Sequence, residues 1–181
     1  IKQIEKLVNE FSDFARMPKP ILKNNDLIKL LSENIKLLSG IDKSIKISLK
    51  NHNSEIFLLC DKEQINRVFF NLIKNSIESI QQKAENKHNF DKKILVEISK
   101  QNNHINVNIL DNGIGFNVSK NNIKDILNPY FTTKKNGTGL GLSIVNKIIN
   151  DHNGNIEFIP IDDGAKININ FNDNRNFNSW W

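Results

Sequence analysis

A single cysteine, Cys60, in 181 residues rules out an internal disulfide and any cysteine-built zinc cage. No run reaches the roughly 18 apolar residues that a membrane span requires, and no signal peptide is visible. Arginine is scarce: Arg16, Arg67 and Arg175 are the only three. The net charge of +5 and a pI near 9.2 invite a nucleic-acid reading. The positive charge, however, is carried by lysines spread along the chain, whereas base-reading surfaces favour clustered arginine forks. No nucleic-acid partner is expected. Alanine occurs only at 15, 84 and 165, while Asn, Ile and Lys abound. That bias resembles the coding of an AT-rich genome, with the basic pI as its by-product. With 38% hydrophobic and 25% charged residues the chain is too apolar to be disordered and long enough for one domain with a core. It begins at Ile1 rather than Met, which suggests a piece of a longer protein.

Periodicity sets the element order. Ile1, Ile4, Val8, Phe11 and Ala15 form a narrow 3-4 stripe, with Leu7 and Phe14 beside it, suited to a helical bundle seam over 1–16. Pro18 and Pro20 break that helix, which places a hinge linker at 17–24. Asn25 or Asp26 caps a helix to about Ser39, with Leu27, Leu30, Leu31, Ile35 and Leu38 inward and Gly40 as the stop. Strands follow at 45–49 and 56–60. Asp61 then caps a long helix to about Gln82. Alternation at 94–98 and 105–109 marks a hairpin. Residues 111–137 are polar and punctuated by glycine, too long for a simple connector, so they form a functional loop or lid. A helix over 140–150 and a hairpin over 155–171 close the domain, and the tail 172–181 ends in Trp180 and Trp181 with no role assigned. Strands that arrive in hairpins exclude a doubly wound sheet. The expected fold is α+β: a two-layer α/β sandwich, one mixed sheet with helices on one face, preceded by a helical stub.

Three segments carry chemistry. On the long helix, spacings of three and four place Asn71, Lys74, Asn75 and Glu78 on one stripe opposite a greasy one. Such a stripe is most often solvated surface, yet an Asn amide oxygen can complete the shell of a Mg²⁺ held mainly by phosphates. Asp111-Asn112-Gly113-Ile114-Gly115 follows a strand directly. An Asp there can accept from an exocyclic amine such as adenine N6, and the glycines let backbone approach a flat ring; a plain tight turn is the bland alternative. Gly137-Thr138-Gly139-Leu140-Gly141-Leu142 opens a helix. Backbone amides at a glycine-rich helix start make an anion site, a flexible linker being the alternative. No Gly-Lys-Ser/Thr follows, so it is not a P-loop.

Together, in this order, Asn71/Asn75, Asp111-x-Gly113-x-Gly115, Pro129-Tyr130-Phe131-Thr132-Thr133-Lys134 and Gly137-x-Gly139-x-Gly141 resemble the N, G1, F and G2 boxes of the ATP-binding domain of sensor histidine kinases. That family belongs to the superfamily of gyrase B and MutL and has the Bergerat fold. The resemblance covers about residues 25–171. Phe11 to Pro20 and the Pro-Tyr-Phe-Thr-Thr-Lys wording look most like nitrogen-regulation-type sensor kinases.

The resemblance implies the roles. Asn75 would bind the Mg²⁺ that bridges the phosphates of ATP, with Asn71 lining the same site. Asp111 would select adenine, and Gly113 and Gly115 would shape the base pocket. Gly137, Thr138, Gly139, Leu140 and Gly141 would wrap the phosphates and hinge the lid. Phe131 would position the lid, with Thr132, Thr133 and Lys134 near the γ-phosphate. Asn71, Lys74 and Lys134 would be the catalytic set. Two positions depart from the pattern. Glu78 stands where several kinase families carry a basic residue, so Lys74 or Lys134 would neutralise phosphate, or Glu78 would order metal waters. Gly164-Ala165-Lys166-Ile167 lacks the Thr that many relatives place near adenine.

Hydrolysing relatives place a Glu base at the position of Asn71, and an amide cannot take that proton at neutral pH. Transfer to an external histidine is therefore expected, then relay to a response regulator. None of His52, His88, His104 or His152 lies in a His-Glu/Asp-x-x-Asn-Pro context. The phosphoacceptor would sit on a helical hairpin upstream of Ile1, of which 1–16 is the C-terminal part. The resemblance implies a cytoplasmic domain of a membrane-anchored sensor. A superfamily ATPase and a non-catalytic interaction module are the alternatives; Asn71 counts against the first and the intact boxes against the second.

Overall fold

The computed structural model describes residues 12, 16–87, 89–116, 120–132, 134 and 137–173. The expected helical stub lies outside the described residues except for Ser12 and Arg16, as do His88, Thr133 and the tail from 174 on.

Five strands form a mixed sheet in the order β2-β4-β5-β7-β6. They are β2 (Lys46–Asn51), β4 (Lys93–Gln101), β5 (His104–Asp111), β6 (Gly154–Ile161) and β7 (Gly164–Asn172). The β2/β4 pair is parallel and the other neighbours are antiparallel. Helices α1 (Leu27–Leu38), α2 (Lys62–Asn86) and α3 (Gly141–Asp151) lie on one face, α1 over β2, α2 over β4 and β5, and α3 over β6. The alternation places Ile94, Val96, Ile98, Ile105, Val107, Ile109, Ile167 and Ile169 under the helices, all buried. The opposite face is polar. There Asn168 donates its amide to Asn108 at 2.9 Å. This is the two-layer α+β sandwich expected.

Both long helices start where an Asp stands. Asp26 caps α1 by accepting from the Ile28 N–H at 3.0 Å. Asp61 caps α2 by accepting from the Glu63 and Gln64 N–H groups at 3.0 and 3.1 Å. The start of α2 is tied further. The Asp61 N–H donates to His152 Nε2 at 3.0 Å, while His152 Nδ1 lies 2.7 Å from the Ile148 carbonyl, so the Nδ1–H tautomer satisfies both. Cys60 beside this point is buried, and burial pushes its thiol up to about 11, which makes it inert.

Four details differ from the expectation. Lys23–Asp26, half within the expected hinge, forms strand β1 and pairs with β3 (Phe57–Cys60) in a separate two-stranded sheet. Farther up the hinge, the Ile21 N–H donates to Asp61 at 2.8 Å and the Pro18 carbonyl accepts from Gln64 at 3.0 Å. Residues Lys120–Leu127 of the expected lid form a 3₁₀ segment whose Ile126 enters the core. Asn172 belongs to β7, and Asp173, 4% exposed, pairs with Lys100, so the first two residues of the expected tail are part of the domain.

Asp61 serves α2 and the hinge together, so Asp61→Ala should lower stability at neutral pH by about 1 kcal/mol or more. Burial pushes the Asp61 carboxyl up, but the N–H donors of Ile21, Gln64 and Glu63, with the neighbouring His152, hold it below the ordinary 3.8. Its contribution is therefore present above that pH and lost as pH falls through the folded value. Urea titrations should show the gap between wild type and variant narrowing in strong acid; a gap independent of pH would contradict the capping role.

Candidate functional site

Helix α2 gathers the site. Asn71, Lys74, Asn75 and Glu78 occupy its half-exposed stripe, as their spacing predicts, while Ile65, Val68, Phe69, Leu72, Ile73, Ile77 and Ile80 are buried behind them. Four points on this helix meet three different loops.

The first contact is with the end of β5. Asp111 is 6% exposed. Its Oδ2 accepts from the Ser76 hydroxyl at 2.8 Å and its Oδ1 from the Gly113 N–H at 3.0 Å. Burial raises its pKa above the ordinary 3.8, and the Gly113 and Ser76 bonds, the Lys83 charge and the Ala165 N–H offset that only in part. A carboxylate offers about four acceptor sites, so the hydrogens received from Ser76, Gly113 and Ala165 still leave capacity for a further donor.

The second contact is that of Gly113 with Ser79. A Cβ on Gly113 would stand 2.7 Å from the Ser79 carbonyl carbon and 2.8 Å from the Ile80 nitrogen. Only glycine lets the loop lie on the helix backbone here. Ile114 N–H then bonds the Ser79 hydroxyl at 3.1 Å. Gly115 turns the chain away at φ +74°, with Gly164 pressed against it. The start of β7 is equally tight: a Cβ on Gly164 would overlap the Asp111 carbonyl, and Ala165 is the register partner of Asp111.

The third contact is at the start of α3. Gly141 opens that helix, and no side chain caps its first turn. Asn71 Oδ1 lies 3.6 Å from where a Gly141 Cβ would be, in ordinary contact. Asn71 also donates to the Arg67 carbonyl at 2.8 Å, which orients its oxygen outward. Leu140 is buried and anchors the loop. Gly139 is left-handed at φ +70° and packs on the Tyr130 backbone, and the Tyr130 N–H donates to its carbonyl at 3.0 Å. The Pro129-Tyr130-Phe131 segment is thus stitched to the glycine loop. Phe131 packs on the core edge, Thr132 is exposed, Gly137 sits against Thr132, and Thr138 Oγ1 lies 3.5 Å from the Leu140 nitrogen.

The fourth contact is electrostatic. The Lys134 ammonium donates to Asn75 Oδ1 at 3.0 Å and pairs with Glu78. Lys74 lies 3.8 Å from the other Glu78 oxygen. Both lysines expected near phosphate are therefore directed at Glu78 in this structure.

The site residues named from the sequence come together, apart from Thr133, which lies outside the described residues. Sequence reasoning missed Ser76, Ser79, Asn112 and Lys83. Lys83 donates to the Asn112 carbonyl at 2.7 Å, pairs with Asp163 and sits 5.0 Å over the Phe90 ring. Asn112 receives the Lys93 N–H at 3.0 Å. The signal for the serines was present: Ser76 is a hydroxyl set into the apolar stripe of a buried helix face. An open cleft of about 390 Å³ beside Lys83 and the β6–β7 turn shares Gly113 and Gly115 with the site but is not lined by Asn71, Asn75 or Asp111. We place the site along the α2 stripe, where the polar groups converge. Among the described residues no helix is long and apolar enough to cross a membrane, and no group of three or more His, Cys, Asp or Glu side chains could hold a metal.

Comparison with known proteins gives a consistent picture. Residues 60–175 match the family described as histidine kinase-, DNA gyrase B-, and HSP90-like ATPase. A Rickettsia bellii protein that carries the name NtrY-like sensor histidine kinase is 34% identical over 170 residues, 93% of this chain and 27% of the relative. The nitrogen regulation protein NtrY of Azorhizobium caulinodans is 30% identical over 168 residues, 91% of this chain and 21% of its own length. The chain thus spans about a quarter of these relatives. Among solved structures, the nucleotide-free catalytic domain of histidine kinase ThkA superposes with a TM-score of 0.72 at 25% identity, covering 84% of this chain and 95% of that one. A longer ThkA, solved in complex with response regulator protein TrrA, gives 0.78 at 22% identity over 95% of this chain and 48% of that one.

Two glycines of the site should respond oppositely to alanine. Gly113→Ala must push Ser79 and the α2 backbone aside and should cost about 1–3 kcal/mol, as overpacking does. Gly141→Ala has room and gains helix propensity, so its melting temperature should match or exceed wild type. Thermal denaturation of both variants checks this; equal losses would contradict the loop placement.

Proposed function

The chain belongs to the histidine kinase-, DNA gyrase B- and HSP90-like ATPase family, and from that premise we propose that it binds Mg·ATP and donates the γ-phosphoryl group to a histidine. That histidine lies on a helical hairpin of the same protein, in cis or in the partner of a homodimer, and the phosphoryl group then passes to the receiver domain of a response regulator. Residues 1–16 are the C-terminal part of the hairpin and 17–22 the linker, and the ATP-binding domain runs from β1 at Lys23 through Asp173. The whole protein is a membrane-anchored sensor with this domain on the cytoplasmic side.

The observation that carries the reading is the convergence of Asp111, the glycine loops and Asn71/Asn75 on one helix. The buried carboxylate of Asp111, with acceptor capacity to spare, suits the adenine amino group. Gly113 and Gly115 bring backbone close enough for a flat ring to stack on it. Gly137, Thr138, Gly139, Leu140 and Gly141 lead into the amides of the first turn of α3, which suit phosphate oxygens. Asn71 reaches that same turn. Thr132 holds the Lys134 backbone, accepting its N–H at 3.1 Å; Phe131, Thr133 and Lys134 complete the segment beside the phosphates.

The donor chemistry fits a hard divalent cation: the Asn75 amide oxygen already accepts an ammonium, a stand-in cation, at 3.0 Å. Mg²⁺ held by Asn75 would neutralise phosphate charge. Asn71 cannot act as a base toward water, so hydrolysis is slow and the phosphoryl group waits for a nucleophile. A neutral histidine nitrogen forms the new P–N bond as the bond to the β-phosphate oxygen breaks and ADP leaves.

Two experiments test the reading. Asp111→Asn should keep its fold, because it removes an ionised carboxyl whose pKa burial has raised; that carboxyl costs stability as pH rises through the folded value. ATP affinity should nevertheless fall about tenfold or more, the loss of one charge-assisted hydrogen bond. Calorimetric titration of a folded variant with near-wild-type affinity would overturn the adenine assignment. In the second, the chain alone should label negligibly from γ-³²P-ATP, and the upstream hairpin with its histidine, added in trans, should become labelled. Self-labelling that survives replacement of all four histidines, or steady ATP turnover without a partner, would contradict histidine transfer.

A further inference from the structure

The Lys134 side chain bridges to α2 instead of extending into solvent. Its ammonium donates to Asn75 Oδ1 at 3.0 Å and pairs with Glu78 Oε2. Its backbone is fixed by a small turn: the Lys134 N–H donates to Thr132 Oγ1 at 3.1 Å, and its carbonyl accepts from the Gly137 N–H at 3.1 Å. Asn75 and Glu78 are three residues apart on one helix face, which makes their oxygens neighbours. A neutral amide oxygen and a carboxylate on a compact, strongly hydrated point charge are the donor set of a hard cation. Glu78 stands where several kinase families carry a basic residue, and here it builds an anionic wall against Lys134 that a basic side chain could not.

We propose that Asn75 and Glu78 form one cation site, that the Lys134 ammonium is its resident occupant in the nucleotide-free protein, and that a divalent cation enters by displacing it. The inference rests on the reading of Asn75 as the metal-facing residue and goes beyond it in making Glu78 a second metal-side group and Lys134 a tethered competitor. Two cations cannot share the same pair of oxygens without strong repulsion in a partly desolvated site. Free divalent metal therefore binds weakly, because it must first displace the ammonium from Asn75 and Glu78. Nucleotide phosphates supply that anion, as partners for the metal and for the released ammonium together. Metal and nucleotide thus favour each other's binding.

Mn²⁺ binding measured by water-proton relaxation, on the whole chain and without nucleotide, tests the exchange. Lys134→Met should bind Mn²⁺ at least about fivefold more tightly than wild type, since the ammonium that holds both oxygens is gone and Lys74 reaches only Glu78 Oε1, at 3.8 Å. The double variant Lys134→Met/Glu78→Gln should return to the weak wild-type level. Both positions are more than a third exposed, 40% and 37%, so the substitutions spare the core, and circular dichroism verifies the fold of each variant. Equal or weaker Mn²⁺ binding in Lys134→Met, or a gain that persists when Glu78 is also replaced, would overturn the proposal. No nucleotide is present, so failure here is distinct from failure of the ATP reading, which the calorimetric titration of wild type with ATP decides by itself.

Discussion

The seating of Gly113 on the backbone of α2, locked by the Ser76 hydroxyl on Asp111, is the constraint from which the rest of the site follows. It joins the end of β5 to α2 so closely that no side chain fits between Gly113 and the helix backbone. Once that joint is made, the Asp111 carboxylate has one place to stand and the loop after it one direction to run. Any larger residue at 113 would lift the loop and take Asp111 away from Ser76. The joint lies inside the apolar layer, where a satisfied hydrogen bond holds geometry and an unsatisfied one is costly.

Helix α2 works as an axis with two kinds of contact along it. Toward the core, the capped start at Asp61 and the stripe Ile65 to Ile80 fix its position against the sheet. Toward the loops, Asn71 meets the start of α3 and Asn75 and Glu78 meet Lys134. The two sets differ in strength. The core contacts are buried and permanent. The Lys134 bridge is well exposed to water, and exposed ion pairs contribute about 0–1 kcal/mol, so it can be broken by an incoming charged ligand without disturbing the fold. A buried, fixed joint at Asp111 and Gly113 thus stands beside an exposed, exchangeable ion bridge on the same helix.

Much of this was legible in the residues. The Asp61 cap, a cap at Asn25 or Asp26, the helical stripes and the alternation in β4, β5 and β7 were readable from the residues, and the three glycine and asparagine segments meet along α2. Strand β1 was not legible. Lys23-Asn24-Asn25-Asp26 has no apolar alternation and becomes a strand only because β3 offers it a partner. The two form a sheet separate from the main one. Nor could periodicity find the bridge from Lys134 to Glu78, which spans 56 residues of sequence and joins a loop to a helix. Ser76 and Ser79 were visible as polar breaks in an apolar face, but only the structure shows that each exists to meet the loop at 111–114.

The central claim is that one face of α2, with the loops seated on it, is where nucleotide binds. Backbone amide shifts of isotope-labelled protein, followed by NMR as Mg²⁺ and a non-hydrolysable ATP analogue are added, test it most directly. The account predicts the largest changes at Asn71, Asn75, Ser76 and Asp111 to Gly115, and at Gly137 to Gly141. Changes centred instead on the Lys83 cleft and the β6–β7 turn at Ile161 to Gly164, with the α2 stripe silent, would contradict it.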